Sequence, residues 1–437
     1  MLNTILCILI SIAFVYILAN PKVPNSLLFL LLAPILILTH ILDAATVWGF
    51  FANNSLHLVM IISVYASLMA VSGFDGQIGE TFEHMTQNIN GKNRERGLFG
   101  IFFVLAALCS TIMANSSVTM AMVPALYGIS RRMKISRSKL VLFVIYASTL
   151  GGACTLIGTD TNIFANAALE EAGITPLAMF DFAWVGVPIA ILGGIYMVLF
   201  HHLNKSYDDL EDDDDSMPAP RERTDDMARV MKRQQTGIFL GFFSFILILL
   251  LNSFDFFKAL DINAYAYGYL TIGLLYVFKC FSWKEVLHGF NFERMFMIVG
   301  LLAVIKMITN SSLGSWIGAL LEQSIGGSTS MYFIFTVLFI VTVIITQFMN
   351  NMAACGVISP IAITIAGTLG ADPRAFIMAI AIAAGCGYMT PFASGTNQRM
   401  SVFAKSTIVD YMRYGWPLII ITYLCALLIL PHVFPFF

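Results

Sequence analysis

Residues 111–124, TIMANSSVTMAMVP, place an Asn-Ser pair between two apolar runs, and residues 151–162, GGACTLIGTDTN, break a later apolar run. The same arrangement returns as residues 346–360, TQFMNNMAACGVISP, and residues 385–397, GCGYMTPFASGTN. In both copies a proline follows the central Asn by nine residues, and a closing Asn follows it by 47 and 46 residues. The chain therefore contains one module twice, and matching polar breaks in two halves predict one ligand site between repeats.

The composition is typical of a membrane protein. Hydrophobic residues make up 58% of the 437 residues and charged residues 11%, with a mean hydropathy of +0.81. A helix needs about 20 apolar residues to cross roughly 30 Å of hydrocarbon, which allows about ten crossings. The net charge of −2 does not suggest a nucleic-acid partner, and the seven cysteines form no CxxC pair that would indicate a metal cluster.

The apolar runs predict an all-α polytopic membrane protein with about ten transmembrane helices and two re-entrant helical hairpins. Each half contributes five crossings and one hairpin, and because five is odd the second half is inverted relative to the first. The predicted crossings are 2–19, 26–42, 56–73, 139–158, 180–202, 235–253, 263–280, 295–309, 374–405 and 413–433. The hairpin arms are 98–114 with 117–133 and 330–348 with 352–369, and an amphipathic connector is predicted at 311–323.

Charge predicts the orientation of the two repeats, 1–202 and 234–437. The stretch 203–233 between them is hydrophilic and is predicted to be a solvated linker. The loop 131–139 carries five basic residues and no acid, whereas the corresponding linker in the second half has one of each. The positive-inside rule then places this loop and the 203–233 linker in the cytoplasm and both termini outside the cell.

The chemistry of the breaks points to ions. Non-helical backbone at membrane depth persists only where protein or a water-filled cavity satisfies its polar groups. Carbonyls at helix C-termini coordinate small cations, whereas helix N-termini bind anions. Glycines at 158 and 395 are expected to allow close backbone approach. Neutral polar side chains stand at Ser110, Thr111, Asn115, Thr159, Asn162, Thr346, Asn351, Ser394, Thr396 and Asn397. This set predicts Na⁺ together with an oxyanion, although any one of these residues alone is as often a helix cap or an interhelical hydrogen bond.

The Asn nine residues before a proline, with the stretches LGGACTLIGTDTN and TPFASGTN, resembles the divalent anion/sodium symporters of the ion transporter superfamily. The resemblance extends over nearly the whole chain. It implies an elevator-type transporter, usually a homodimer, in the cell membrane. Residues 1–73 and 235–324 would be scaffold helices, and residues 98–202 and 330–437 would be transport elements. Na⁺ is the implied coupling ion, and no cofactor is implied.

The resemblance also implies two Na⁺ sites with the substrate between them. One Na⁺ site would involve Ser110, Asn115 and the Gly158 carbonyl. The other would involve Thr346, Asn351 and the Ala393 carbonyl. The implied substrate residues are Asn115, Ser116, Thr159, Asn162, Asn351, Ser394, Gly395, Thr396 and Asn397.

Three positions depart from the family pattern. The hairpin tips read Ala-Asn-Ser at 114–116 and Asn-Asn-Met at 350–352, where the family usually has Ser-Asn-Thr. Asp160 stands where the family has proline. A charged carboxylate repels an anionic substrate, so Asp160 must be protonated, be neutralised by a cation or cap the following helix. It is therefore a candidate coupling residue.

These observations predict a secondary active transporter, namely a Na⁺-coupled symporter of a small di- or tricarboxylate or inorganic oxyanion. A proton-coupled carrier or antiporter that uses Asp160, like the arsenite permeases of the same superfamily, is the alternative. From other classes, an intramembrane enzyme would need a partner for Asp160 or a His-rich metal site, and a passive channel would not need the two hairpins. Lys306 is expected either at the membrane interface or on the transport path, and Arg399 either at the cytoplasmic end of its helix or facing an anion.

Overall fold

The structure is a computed structural model, and it describes residues 2–20, 23–73, 94–133, 135–203, 225–252, 262–311, 330–404 and 406–437. Helix accounts for 79% of the structure, and the described ranges contain no strand. This confirms the prediction of an all-helical fold.

The helices of the first half follow the predicted apolar runs closely. They are α1 (Leu2–Ala19), α2 (Ala33–Leu38), α3 (Ala44–Gly49), α4 (Asn54–Val71), α5 (Arg94–Ser110), α6 (Asn115–Met133), α7 (Arg137–Gly152), α8 (Asp160–Glu171) and α9 (Ala183–Leu199). A turn of π-helix, Leu28–Leu32, precedes α2. Asn53 begins α4 because its side chain accepts a hydrogen bond from the Leu56 N–H.

From its own hairpin onward, the second half repeats the order of helices that begins with the hairpin of the first half. Its helices are α10 (Asp225–Leu251), α11 (Ala264–Val277), α12 (Trp283–Gly289), α13 (Phe292–Asn310), α14 (Met331–Thr346), α15 (Asn351–Leu369), α16 (Arg374–Gly385), α17 (Gly395–Ala404) and α18 (Ile408–Val433). Capping boxes at Ser282 and Thr407 fix the starts of α12 and α18.

Several boundaries differ from the sequence prediction. The short helices α3 and α12 lie between predicted crossings, where no helix was predicted. Helix α10 begins at Asp225, so the last nine residues of the predicted linker 203–233 are helical rather than solvated coil. The linker from residue 204 to residue 224 and the predicted connector from residue 312 onward lie outside the described residues.

Four described helical segments are long and apolar enough to cross a bilayer alone: Asn54–Val71, Arg229–Leu251, Asn351–Leu369 and Ile408–Val433. Six shorter apolar segments accompany them. Asn351–Leu369 was predicted as a hairpin arm, and length and apolarity alone do not separate an arm from a crossing. The count of about ten crossings therefore stays a prediction.

The helices pack as two groups. The hairpin group comprises α5–α9 and α14–α18, and the flanking group comprises α1–α4 and α10–α13. Within the hairpin group the contacts correspond between halves, since α8 packs on α16 as α17 packs on α7. The two groups meet where α8 contacts α4 and α13 and where α15 contacts α13.

Helices α7 and α16 form the centre of the hairpin group. Nearly every side chain from Leu140 to Leu150, and every one from Ala375 to Ala384, is buried. Both helices are apolar on all sides, as expected for helices surrounded by other helices. Their C-terminal ends lead directly into the two polar breaks, so the core of this group positions the candidate site.

Candidate functional site

A cavity of about 140 Å³ lies between the two breaks and the two hairpin tips. The first residues of four helices line it, because α6 begins at Asn115, α8 at Asp160, α15 at Asn351 and α17 at Gly395. Unpaired backbone N–H groups and the helix dipole make each N-terminus locally positive. Four such ends around one small cavity favour an anion there over a cation.

The structure brings most of the predicted substrate residues into this cavity. Those in its lining are Asn115, Ser116, Thr159, Asn351, Ser394, Gly395 and Thr396. Gly158 and Asp160 line it as well. These residues come from four separate segments of the chain, so the duplicated pattern read from the sequence converges on a single place.

The Asn115 amide sits in a cluster of oxygen atoms. With its nitrogen turned inward, the amide donates to the carbonyls of Ser148 and Gly158, each at 3.2 Å, and contacts the Ser110 hydroxyl. With its oxygen turned inward, three oxygens that carry no proton face one another beside that hydroxyl. That second orientation favours a cation, and neutral carbonyl and hydroxyl oxygens are ligands that suit Na⁺.

The Asn351 amide has the same surroundings in the second half. Its inward atom lies 2.6 Å from the Ala393 carbonyl, 2.9 Å from the Thr346 hydroxyl and 3.1 Å from the Ala384 carbonyl. The predicted ion-site residues of each half are thus in contact. The sequence reasoning missed Ser148 and Ala384. Ala384 lies in the last turn of α16, where carbonyls lack helical partners, whereas Ser148 lies more than one turn before the last residue of α7.

Glycines allow the backbone to close around the first cluster. A β-carbon on Gly158 would collide with the Gly152 backbone, and one on Gly152 would collide with the Asn115 amide. In the second half the close contact is at Gly387, whose β-carbon would lie 2.9 Å from that of Ala393. At Gly395 no protein atom lies within 4 Å of the β-carbon position, so a close approach of its backbone to a bound ligand stays a prediction.

Asn162 and Asn397 hold the breaks in shape. They are 1% and 2% exposed. The Asn162 amide donates to the Thr155 carbonyl at 2.8 Å, and the Asn397 amide donates to the carbonyls of Gly387 and Thr390 at 2.7 and 2.9 Å. In this structure the amide nitrogens of both residues donate to backbone carbonyls. A direct substrate contact by either residue stays a prediction.

Asp160 has a partner that the sequence did not reveal. It is the first residue of α8, and Arg294 of α13 places Nη1 3.3 Å from its Oδ1. Thr159, not Asp160, occupies the N-cap position of α8. Of the three alternatives for Asp160, the structure shows neutralisation by a cation. Arg294 lies 134 residues from Asp160 in sequence, so no local pattern indicated this pair.

Lys306 also forms an ion pair. Its Nζ lies 3.0 Å from Glu171 Oε1, at the C-terminus of α8. The adjacent Glu170 accepts hydrogen bonds from the N–H and hydroxyl of Ser55, at 3.4 and 3.2 Å. Lys306 therefore joins the flanking group to the hairpin group, which neither alternative for this residue anticipated.

Arg399 is exposed on α17 and lines both the cavity and a wider adjoining space of about 1190 Å³. Ser116 and Arg294 also border both spaces. No carboxylate of the described residues pairs with Arg399, whereas Arg294 is paired with Asp160. The cavity thus carries one excess positive charge and opens into a wide vestibule on one side.

Comparison with known proteins identifies the family. Residues 12–381 match the sequence profile of the family described as citrate transporter, CitMHS. The sodium-dependent dicarboxylate transporter SdcS of Staphylococcus aureus is 24% identical over 444 residues, covering 95% of this chain and 83% of SdcS. A putative sulfur deprivation response regulator of Chlamydomonas reinhardtii is 26% identical over 171 residues, covering 39% of this chain and 28% of that protein. Two further curated relatives are likewise matched over only 26% and 25% of their length.

A solved structure has the same fold. The YdaH transporter of Alcanivorax borkumensis superposes with a TM-score of 0.62 over 98% of this chain and 96% of its own, at 13% sequence identity. The family, SdcS and YdaH are transporters, which confirms the prediction of a transporter rather than an enzyme. Because the family match spans most of the sequence, the chain belongs to the citrate transporter family, CitMHS.

Proposed function

We propose that this transporter couples the movement of a small di- or tricarboxylate or inorganic oxyanion to Na⁺. The observation that carries the proposal is the convergence of four helix N-termini on one cavity, with an oxygen cluster at Asn115 and another at Asn351. The N-termini favour an anion, and the clusters favour a small cation. Symport follows, because the cations neutralise an anion that would otherwise be costly to hold at membrane depth.

Two Na⁺ ions are the proposed coupling ions. One binds to Asn115, Ser110 and the Gly158 carbonyl, and the other to Asn351, Thr346 and the Ala393 carbonyl. Supporting this, Thr346 and Ser110 are fully buried, as a dehydrated ion requires. The Ser148 and Ala384 carbonyls are added to the proposed ligands because they face the same amides.

The proposed substrate is small. The cavity of about 140 Å³ is less than half the roughly 300 Å³ at which pockets for drug-sized ligands begin. Ser116, Thr159, Ser394 and Thr396 supply hydroxyls, and Arg399 supplies the charge that a second anionic group would bind. Since SdcS is a dicarboxylate transporter by name, dicarboxylates are the first compounds to test.

The proposed transport cycle is an elevator movement of the hairpin group against the flanking group. The contact correspondence between halves supports an inverted repeat, 1–202 and 234–437, with re-entrant hairpins. The flanking group would be the scaffold and, in a homodimer, would hold the dimer interface. With the 131–139 loop in the cytoplasm, the vestibule beside Lys284 and Arg399 is the cytoplasmic entrance.

Uptake into proteoliposomes tests the proposal. Succinate, citrate, sulfate and phosphate are offered separately, with a Na⁺ gradient or a pH gradient imposed alone. We expect saturable uptake of at least one of these anions that requires the Na⁺ gradient, and counterflow of labelled substrate. Absence of Na⁺ dependence for every transported anion would contradict Na⁺ coupling.

The proton-coupled alternative is distinguished in the same assay. It requires Asp160 to bind and release a proton in each cycle, which would leave Arg294 without its partner each time. If uptake follows the pH gradient, ignores Na⁺ and is lost in Asp160→Asn, this alternative replaces the Na⁺-coupled one.

A further inference from the structure

Helices α8 and α13 run parallel and carry an ion pair at each end. Asp160 and Arg294 stand near the two N-terminal ends, 3.3 Å apart, and Glu171 and Lys306 stand near the two C-terminal ends, 3.0 Å apart. In each pair the acid belongs to the hairpin group and the base to the flanking group. The two pairs therefore join the groups whose relative movement the proposed function requires.

The spacing of the charges is nearly equal on the two helices. Eleven residues separate Asp160 from Glu171, and twelve separate Arg294 from Lys306. At 1.5 Å per residue these spans are about 16 Å and about 18 Å. A slide of α8 along α13 by one such span, toward the C-terminus of α13, carries Asp160 from Arg294 to Lys306.

The surface between the two bases of α13 is apolar. Every α13 side chain from Met297 to Ile305 is hydrophobic and buried, apart from Gly300. Leu301 also contacts the partner group, since a β-carbon on Gly356 of α15 would lie 2.5 Å from its Cδ2. Asp160 therefore finds no charged or polar partner on α13 between its two ends.

Other charged groups near α8 are already engaged. The helices packed against it are α4, α13, α15 and α16. In their described residues the remaining charged or titratable side chains of note are Arg374, paired with Asp372 at 2.6 Å, and His57, bonded to the Tyr269 hydroxyl at 3.0 Å. Glu293 precedes Arg294 on the exposed first turn of α13.

We propose that Asp160 exchanges Arg294 for Lys306 as its ion-pair partner when the hairpin group slides along α13. Lys306 then stabilises the opposite state of the carrier and positions α8 there. Glu171 moves past the end of α13 in the same step, and Glu170 leaves Ser55. The exchange rests on the elevator movement in the proposed function. It explains how a carboxylate can remain beside an anion site, since Asp160 is neutralised in both end states.

Cross-linking tests the exchange without measuring transport. Starting from a full-length variant with its seven cysteines replaced, Asp160→Cys is combined with Arg294→Cys or with Lys306→Cys. A protease site inserted in the acidic run 212–215 cuts the chain between the halves, so that only a cross-link by a short thiol reagent keeps the fragments together. Native membranes and proteoliposomes are both used.

We expect cross-links for both pairs. The pair Glu171→Cys with Arg294→Cys is the directional control, because it would meet only if the slide ran the opposite way. The exchange is wrong if positions 160 and 294 cross-link but positions 160 and 306 never do, in a variant that still takes up anion. That result would leave the proposed function standing. A 160/306 cross-link in a protein that moves no anion would overturn the proposed function instead.

Substitutions by neutral residues provide a second test, in which all other charged residues of the protein stay unchanged. Lys306→Gln should slow uptake by about tenfold or more, because Asp160 lacks its second partner. Adding Asp160→Asn should relieve this loss, and Lys306→Arg should retain uptake. If Glu171→Gln relieves the loss and Asp160→Asn does not, Lys306 serves only the Glu171 pair and the exchange is wrong.

Discussion

The Tyr146 hydroxyl of α7 donates a hydrogen bond to the main-chain carbonyl of Tyr388 at 2.5 Å. Tyr388 lies in the break between α16 and α17, so a side chain of the first half holds the irregular backbone of the second. Both residues are buried, and Tyr411 and Tyr414 pack their rings around Tyr146. The break between α16 and α17 is therefore held by contacts between the halves as well as by contacts within its own half.

Tyr146→Phe should destabilise this arrangement. The change leaves the Tyr388 carbonyl without its tyrosine donor in a buried place, which costs about 1–3 kcal/mol. We expect a lower melting temperature of the detergent-solubilised protein and weaker stabilisation by Na⁺. Thermal unfolding with and without Na⁺ measures both.

Tyr196→Phe is the matched control for that change. Tyr196 donates at 3.2 Å to the Tyr414 carbonyl, which lies inside α18 and has a backbone partner there. We expect the loss of this hydrogen bond to lower the melting temperature less than the loss of the Tyr146 hydrogen bond. Equal effects of the two changes would mean that the contact with the Tyr388 carbonyl has no special part in holding the break.

Asn115→Ala and Asn351→Ala should each strongly reduce uptake at the Na⁺ concentration that half-saturates the unchanged protein, while the protein still folds. Each change takes the amide out of an oxygen cluster, and we expect the concentration of Na⁺ needed for half-maximal uptake to rise by at least about tenfold. Na⁺ titrations of uptake and of thermal stability measure this. Normal transport in both variants would rule out the proposed ion sites.

Asn350→Ala is the neighbouring control. The Asn350 side chain caps α15 by accepting from the Met352 N–H at 2.9 Å, and it belongs to the hairpin tip. Removing a cap costs about 1 kcal/mol of stability. Na⁺ dependence should persist in this variant, which separates an ion ligand from a residue that only begins the helix.

The helices and the two breaks could be predicted from local sequence. Apolar runs end where polar residues interrupt them, and the observed tips at Asn115 and Asn351 coincide with the predicted ones because the interruption is short and sharp. The hydroxyl five residues before each Asn was also a local signal, and it lies in contact with the amide in both halves.

The partners of charged residues could not be predicted in this way. Arg294 meets Asp160, and Lys306 meets Glu171, across 134 and 135 residues of chain. A single sequence contains no periodicity that pairs such positions, because their contact arises from how the two helix groups pack. For the same reason the roles of Asn162 and Asn397 in bonding the break backbone became visible only in three dimensions.

Glycine substitutions should separate substrate contact from backbone packing. Gly158→Ala collides with the Gly152 backbone, so we expect poor folding and a lower melting temperature. Gly395→Ala has open space around the added methyl group and should leave stability within about 0.5 kcal/mol. If the substrate lies against Gly395, as the family resemblance implies, the KM for the anion should nevertheless rise. An unchanged KM in Gly395→Ala would place the substrate elsewhere in the cavity.

Arg399→Gln should weaken anion binding. A hydrogen bond to a charged group contributes about 1.5–3 kcal/mol, which corresponds to a rise of roughly 10- to 100-fold in KM for a dianion. Arg399→Lys keeps the charge and should lose less, since only the paired geometry of the guanidinium is gone. Arg374→Gln is the control, because that guanidinium is paired with Asp372 and does not line the cavity. If KM is unchanged in Arg399→Gln, the arginine marks only the end of its helix, and the helix N-termini must hold the anion without it.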